Sequence, residues 1–80
     1  MPRPITLPEP WRSLTGKIEQ EWESHHPGQR SPGAVQLTAD TLLCDTRTLR
    51  RWANGVTQPD RRARDVIAHV FRKAQLQAPY

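Results

Sequence analysis

The 80-residue chain has little cysteine, few aromatic residues other than tryptophan, and no long apolar segment. Cys44 is its single cysteine, which excludes an intramolecular disulfide and favours a reducing compartment over a disulfide-stapled secreted fold. The amino terminus has no apolar run of signal-peptide length, and no segment approaches the roughly 20 apolar residues of a membrane span. We therefore expect a soluble, cytoplasmic protein without a membrane partner.

The residue groupings that catalysis and metal binding require are also missing. The acidic residues are scattered, no nucleophile stands beside a base, and Gly28 and Gly33 mark a loop rather than a phosphate-binding motif. The three histidines and Cys44 have no recognised metal-ligand spacing. We expect no enzyme activity, no metal and no cofactor, and we interpret Cys44 as a small buried apolar residue.

The charge that is present is concentrated in the second half of the chain. Residues 1–44 carry four basic and five acidic side chains, a net charge of −1, whereas residues 45–80 carry eight basic and three acidic ones, a net charge of +5. Six of those eight basic residues are arginines between Arg47 and Arg64. Such a segment favours a polyanionic partner, nucleic acid before membrane, and the alternative is a solvated basic face.

Prolines at positions 2, 4, 8 and 10 prevent a regular helix or a central strand at the start of the chain, so residues 1–9 are predicted to be an extended arm. Three interpretations of this arm stay open. It lies across the domain through Ile5 and Leu7, it is disordered, or it carries Arg3 to DNA.

Apolar spacing predicts an all-α fold, a small bundle of four to five helices within a single domain. Trp11, Leu14, Ile18 and Trp22 form one stripe of the first helix, and both tryptophans are interpreted as core residues. No alternation typical of a strand is present. The predicted boundaries are a domain over 10–76 with a tail at 77–80, and helices over about 10–24, 34–43, 46–54 and 59–76.

The second and third helices form a closely connected pair. Val35, Ala39, Leu42 and Leu43 give the predicted buried face of the second helix, and Leu49 and Trp52 give that of the third. Either Asp45 or Thr46 suits the N-cap of the third helix, and Gly55 suits a left-handed stop after it.

The second and third helices and the segment after them contain, without a gap in spacing, Ala39, Leu43, Cys44, Leu49, Trp52, Gly55 and Pro59. With these residues, the segment from 34 to about 71 resembles the lambda-repressor/Cro-like, or Xre-type, helix-turn-helix family, with the helix-turn-helix at about 35–54. Two places depart from its usual pattern. The turn position, where the family usually has glycine, holds Leu43, which cannot easily adopt a positive φ, so we expect a differently shaped turn or an extra helical residue. Thr38 stands where an aliphatic residue is usual. The expected structural core of the motif consists of Ala39, Leu43, Leu49, Trp52, Gly55 and Pro59.

The resemblance implies that the helix at about 46–54 enters the major groove of DNA. Arg47 and Arg50 are ranked first as base readers, and the phosphate contacts include the N-terminus of the second helix. In the alternative interpretation all these side chains are solvated surface residues, and Arg61, Arg62 and Arg64 form surface pairs with acidic neighbours. The expected base contacts are Thr46, Arg47, Arg50 and Arg51, and the expected phosphate contacts are Gln36, Thr48, Asn54, Arg61 and Arg62.

The function that the resemblance implies is a sequence-specific, DNA-binding transcriptional regulator of prokaryotic or phage-encoded type, acting as a repressor. Its expected partner is double-stranded DNA with a palindromic operator, bound by a homodimer that forms at least on DNA, with RNA polymerase as a further contact. The fourth helix with its tail, or the arm, would supply the dimer surface. The alternatives are a DNA-binding accessory factor of a mobile element, acting in excision, replication or partition, and a helical protein–protein interaction module.

Overall fold

The computed structural model describes residues 7–80, and over that range the chain forms four α-helices and no strand. The predicted all-α bundle is therefore confirmed, and each predicted helix is found with ends shifted by at most three residues. Ile5 and Arg3 of the predicted arm lie outside the described residues. The helices are α1 (Trp11–His25), α2 (Ala34–Thr41), α3 (Thr46–Ala53) and α4 (Arg61–Lys73).

One apolar core joins all four helices. The rings of Trp11 in α1 and Phe71 in α4 meet edge to face, with 5.2 Å between their centroids, a favourable arrangement for aromatic pairs. Leu7 is buried beside them, so the end of the predicted arm that the structure describes lies on the domain. The buried members of this core are Leu7, Trp11, Leu14, Ala39, Leu42, Leu49, Ile67 and Phe71.

The apolar stripe of α1 leaves this core in its second half. Trp11 is buried as predicted, but Trp22 is only half-buried, and its ring stacks on that of His26 with centroids 4.2 Å apart. Nδ1 of His26 also donates a hydrogen bond to the Trp22 carbonyl over 2.9 Å. The interpretation of Trp22 as core is therefore wrong, because this end of α1 forms the wall of an open groove.

Aspartates begin the two helices in the arginine-rich half of the chain. Oδ1 of Asp45 accepts from the backbone N–H of Thr48 over 2.7 Å at the start of α3, and Asp60 accepts from Ala63 over 2.8 Å at the start of α4. Each carboxylate satisfies a backbone donor that the helix cannot pair, and its charge suits the positive end of the helix dipole. Of the two caps that the sequence allows for α3, the structure has Asp45.

Helix α2 ends two residues earlier than predicted, in a Schellman motif. The N–H of Cys44 donates to the carbonyl of Ala39 over 3.0 Å, and the N–H of Leu43 donates to that of Asp40 over 3.2 Å. Closing these two bonds places Leu43 in the left-handed region with φ of 58°. The expectation that leucine would avoid this conformation is therefore wrong, and so is the expectation that it belongs to the core, because Leu43 is 88% exposed.

The same type of ending recurs at α3 and α4. Gly55, with φ of 75°, ends α3 as predicted, and the N–H of Val56 donates to the carbonyl of Arg51 over 2.9 Å. Gln75, with φ of 61°, follows α4, which therefore ends at Lys73, two or three residues before its predicted end.

Candidate nucleic-acid interface

The outward face of α3 is fixed by the burial of Leu49. With 3.6 residues per turn, residues two places before and after a buried position point away from the core. Those places hold Arg47 and Arg51, and both are exposed, as is Asn54 at the C-cap. Leu49 itself has no exposed surface, so the face that α3 offers to a partner consists of two arginines and an asparagine.

Arg50 lies on the flank of α3 rather than on its outward face. Its position follows Leu49 by one residue, about 100° around the helix, and the side chain is half-buried. Its Nε is enclosed and has no hydrogen-bond partner among residues 7–80. Arg50 is therefore less exposed than Arg51, and its rank as a base reader stays a prediction.

The two threonines of α3 are less available than the arginines. Thr46 is half-buried at the first position of the helix, and Thr48 is half-buried with its backbone N–H bonded to Asp45. Hydrogen bonds from the Thr48 side chain, followed by its backbone N–H, hold the pKa of Asp45 below its usual range. Because this carboxylate already occupies the start of α3, the arginines are the groups of this helix that suit an anion.

The N-terminus of α2 differs from those of α3 and α4. Its N-cap is Gly33, with φ of 114°, and no side chain of residues 7–80 accepts from the first N–H groups of the helix. An uncapped helix start suits a phosphate, which would accept from these N–H groups. Gln36 is exposed in this first turn, but its Nε2 donates to Oδ1 of Asp40 over 3.0 Å and must release that carboxylate to reach another acceptor.

The arginines at the start of α4 are exposed and, within residues 7–80, free of ion pairs. Among the described residues, no carboxylate lies within 4 Å of the charged groups of Arg61, Arg62 or Arg64. Asp60 serves instead as the N-cap. The surface pairs of the alternative interpretation are therefore not formed. Tyr80 lies beside this helix; burial raises the pKa of its hydroxyl, and the positive charge of Arg64 opposes that rise.

Most of the remaining motif residues lie on the core side of the helix-turn-helix candidate rather than on its outward face. Ala39 and Pro59 are buried as predicted, Trp52 is half-buried and packs against the core, and Gly55 is an exposed helix stop rather than a core residue. Cys44 is half-buried rather than buried, and burial, together with the charge of Asp45, raises the pKa of its thiol.

Two features of the molecule are missing from the sequence interpretation. The first is the positive φ of Leu43, which the glycine usual at this position in the family that the sequence resembles could have indicated. The second is a groove of about 930 Å³ lined by α1, α2 and α4 and by no residue of α3. In the sequence, only the polar residues on either side of Trp22 indicate this groove, because the groove depends on how α1 and α4 pack against each other.

Over residues 7–80, no helix is long and apolar enough to cross a membrane, and no three His, Cys, Asp or Glu side chains are grouped to hold a metal ion. Comparison of the chain with protein-family models, with curated proteins and with solved structures gave no match.

Proposed function

We propose that the chain is a sequence-specific, DNA-binding transcriptional regulator that acts as a repressor, with α2 and α3 as its helix-turn-helix. The observation that carries this proposal is the outward face of α3, which consists of Arg47, Arg51 and Asn54. On the opposite side of the helix Leu49 is fully buried. Helix α3 contains no acidic residue, so its cationic side chains have no partner within the helix. A rigidly anchored cationic helix of this kind suits the major groove.

The side chains on this face have the chemistry of base recognition. An arginine donates two parallel hydrogen bonds to O6 and N7 of guanine, which distinguishes this base from the others. Arg47 and Arg51 are the first candidates for guanine. Thr46 and Arg50 flank them and make secondary contacts, with the half-buried stem of Arg50 limiting its reach.

Contacts to the DNA backbone come from the neighbouring helices. The uncapped N-terminus of α2, with Gln36, offers hydrogen-bond donors to one phosphate, and the unpaired Arg61 and Arg62 offer charge to another. Thr48 and Asn54 complete the proposed phosphate contacts at the edges of α3. Such contacts set the register of the protein on the duplex, whereas the arginines of α3 supply specificity.

The proposed membership of the Xre-type family is supported by the turn after α2. Leu43 occupies the place where that family usually has glycine, and its φ of 58° is a conformation that glycine adopts at low cost. The buried Ala39 and Leu49, and the left-handed Gly55, also suit the roles that the resemblance assigns to them.

A repressor of this size acts by occupying its operator. We propose that it does so as a homodimer on a palindromic site, since a single short helix reads few base pairs. The described part of the chain measures 38 × 34 × 19 Å, so two copies side by side suit half-sites about 34–36 Å apart, one helical turn of DNA. Contact with RNA polymerase is a further proposal for the bound state.

Selection from a random duplex library tests this function. We expect enrichment of an inverted repeat, bound with an affinity that falls steeply as salt concentration rises. Enrichment should be lost in Arg51→Ala and retained in Arg72→Ala, which removes an exposed arginine of equal charge from the last turn of α4. Salt-sensitive binding without any enriched sequence would reduce the protein to a nonspecific DNA binder, and absence of binding at low salt would refute the proposal.

A further inference from the structure

The groove lined by α1, α2 and α4 is an apolar surface that the DNA-binding proposal does not use. The larger apolar side chains that line it are those of Ile18, Trp22, Leu37, Val66 and Val70. These side chains are only half-buried in the described structure, although they repeat at the helical spacing typical of a covered face. Half-buried apolar side chains on neighbouring helices leave part of this face open to a further contact.

Charged side chains of both signs border this apolar lining. Glu21 lies on the α1 side, and Lys73 lies on the α4 side. Lys17, also at the border, donates through Nζ to the carbonyl of Ala74 over 3.0 Å, which ties the end of α4 to α1. Glu21 and Lys73 have no ion-pair partner among the described residues, so each is free to pair with a group outside this chain.

We propose that the groove is a self-association surface, which a second copy of this chain covers through a two-fold contact. In such a contact the same patch is present on both copies, so residue i of one copy meets residue j of the other and the reverse. A patch that holds an apolar centre with Glu21 on one side and Lys73 on the other is complementary to itself. Glu21 of each copy then pairs with Lys73 of the other across the joined apolar linings.

The size of the patch sets the strength of this association. A standard stable interface uses about 20–30 residues from each partner, and 15 residues line the groove. The contact is therefore weak between free molecules, and two adjacent half-sites on DNA would strengthen it by holding both copies at high local concentration. No residue of α3 lines the groove, so the dimer keeps both recognition helices free.

This inference deepens the proposed function by naming its dimer surface, yet it is tested without DNA. The full chain is measured by sedimentation equilibrium up to its solubility limit, as wild type and as Glu21→Lys, Lys73→Glu and the double variant. All these positions are exposed, so folding is retained and is checked by circular dichroism. We expect wild-type association, about tenfold weaker association in each single variant because two symmetry-related pairs become repulsive, and recovery in the double variant.

Matched controls separate the groove from the effect of overall charge. Glu23→Lys and Arg72→Glu change the net charge by the same amounts at exposed neighbours that do not line the groove. We expect both controls to associate like the wild type. The proposal is overturned by a monomer at every concentration, by controls that weaken association as much as the groove variants, or by a double variant that does not recover. A monomer that still selects a DNA sequence would overturn this surface alone and leave the proposed function intact.

Discussion

Leu43 shows most clearly how a single residue opposes the conformation that the chain requires. Its left-handed backbone costs roughly 1–2 kcal/mol for a residue with a side chain, and its 88% exposure means that little packing offsets that cost. Glycine relieves the strain but has greater freedom in the unfolded state. We therefore expect Leu43→Gly to raise the free energy of unfolding by about 0.5–1 kcal/mol in urea denaturation.

Leu43→Ala is the control for this substitution, because it removes the exposed side chain but keeps the strained Cβ. We expect its stability to lie within about 0.5 kcal/mol of the wild type. Equal stability of the glycine and alanine variants would show that the left-handed conformation is not the source of the strain.

Arg50 and Arg51 are adjacent in sequence but differ in their surroundings, so they form a matched pair. We expect Arg51→Ala to weaken binding to the selected duplex by about 1–3 kcal/mol and to leave the melting temperature unchanged, because its side chain is exposed. Arg50→Ala should also lower the melting temperature, since it removes a half-buried stem. Titration of labelled duplex and thermal denaturation measure the two effects. The reverse pattern would contradict the assignment of the α3 faces.

At the scale of the element, the start of α3 gives a pH-dependent stability. Thr48 lowers the pKa of Asp45 in the folded state, so the ionised cap stabilises the fold above the unfolded pKa of about 3.9 and is lost as pH falls through the lower folded value. We expect Asp45→Asn, which keeps a capping acceptor without the charge, to be less stable than wild type at neutral pH.

The difference in unfolding free energy between these two proteins should vanish in acid, as denaturation at a series of pH values would show. Asp60→Asn makes the same substitution at the cap of α4. Comparison of the two variants shows whether the loss of stability is specific to the cap of α3. A difference that persists unchanged below the titration of Asp45 would mean that charge at this cap does not stabilise α3.

Apolar spacing and the residues typical of helix ends were sufficient to predict the helices. They failed to predict the backbone conformation at Leu43, where the preference of the side chain opposed the hydrogen bonds of the turn. Gly55 was predicted correctly because a glycine after an apolar stripe satisfies both the spacing and the left-handed ending. At Leu43 the side chain opposes positive φ, yet two backbone hydrogen bonds to Asp40 and Ala39 determine the turn. The greater exposure of Arg51 than of Arg50 follows from their positions two and one residues after the buried Leu49.

At the scale of the whole molecule, the distribution of charge predicts how binding depends on salt. Each phosphate contact made by a cation contributes roughly −0.9 to the slope of log K against log salt on duplex DNA. We expect the double variant Arg61→Ala/Arg62→Ala to reduce that slope by about 1.8 per protomer without changing the selected sequence. Arg72→Ala serves as the control. If the double variant selected a different sequence, the arginines of α4 would contact base edges rather than phosphates.

The arrangement of whole helices is what the sequence revealed least. The stripe through Trp11 and Trp22 predicts one continuous buried face, but α4 meets α1 at Trp11, through Phe71, and leaves Trp22 at the groove. The place where two helices meet depends on contacts between side chains that are far apart in the chain, and the helical period of one segment does not determine it. The candidate interface was more predictable, because its outward residues follow from the period of one short helix.

The most direct measurement of the central proposal is an NMR titration of the labelled protein with the selected duplex. We expect the largest changes in backbone and arginine signals at Arg47, Arg51 and Asn54, followed by the N-terminus of α2 and the first turn of α4. A duplex of scrambled sequence should leave the α3 signals much less affected. If the largest changes instead arose in the groove between α1 and α4, or spread evenly over the surface, α3 would not be the element that recognises DNA.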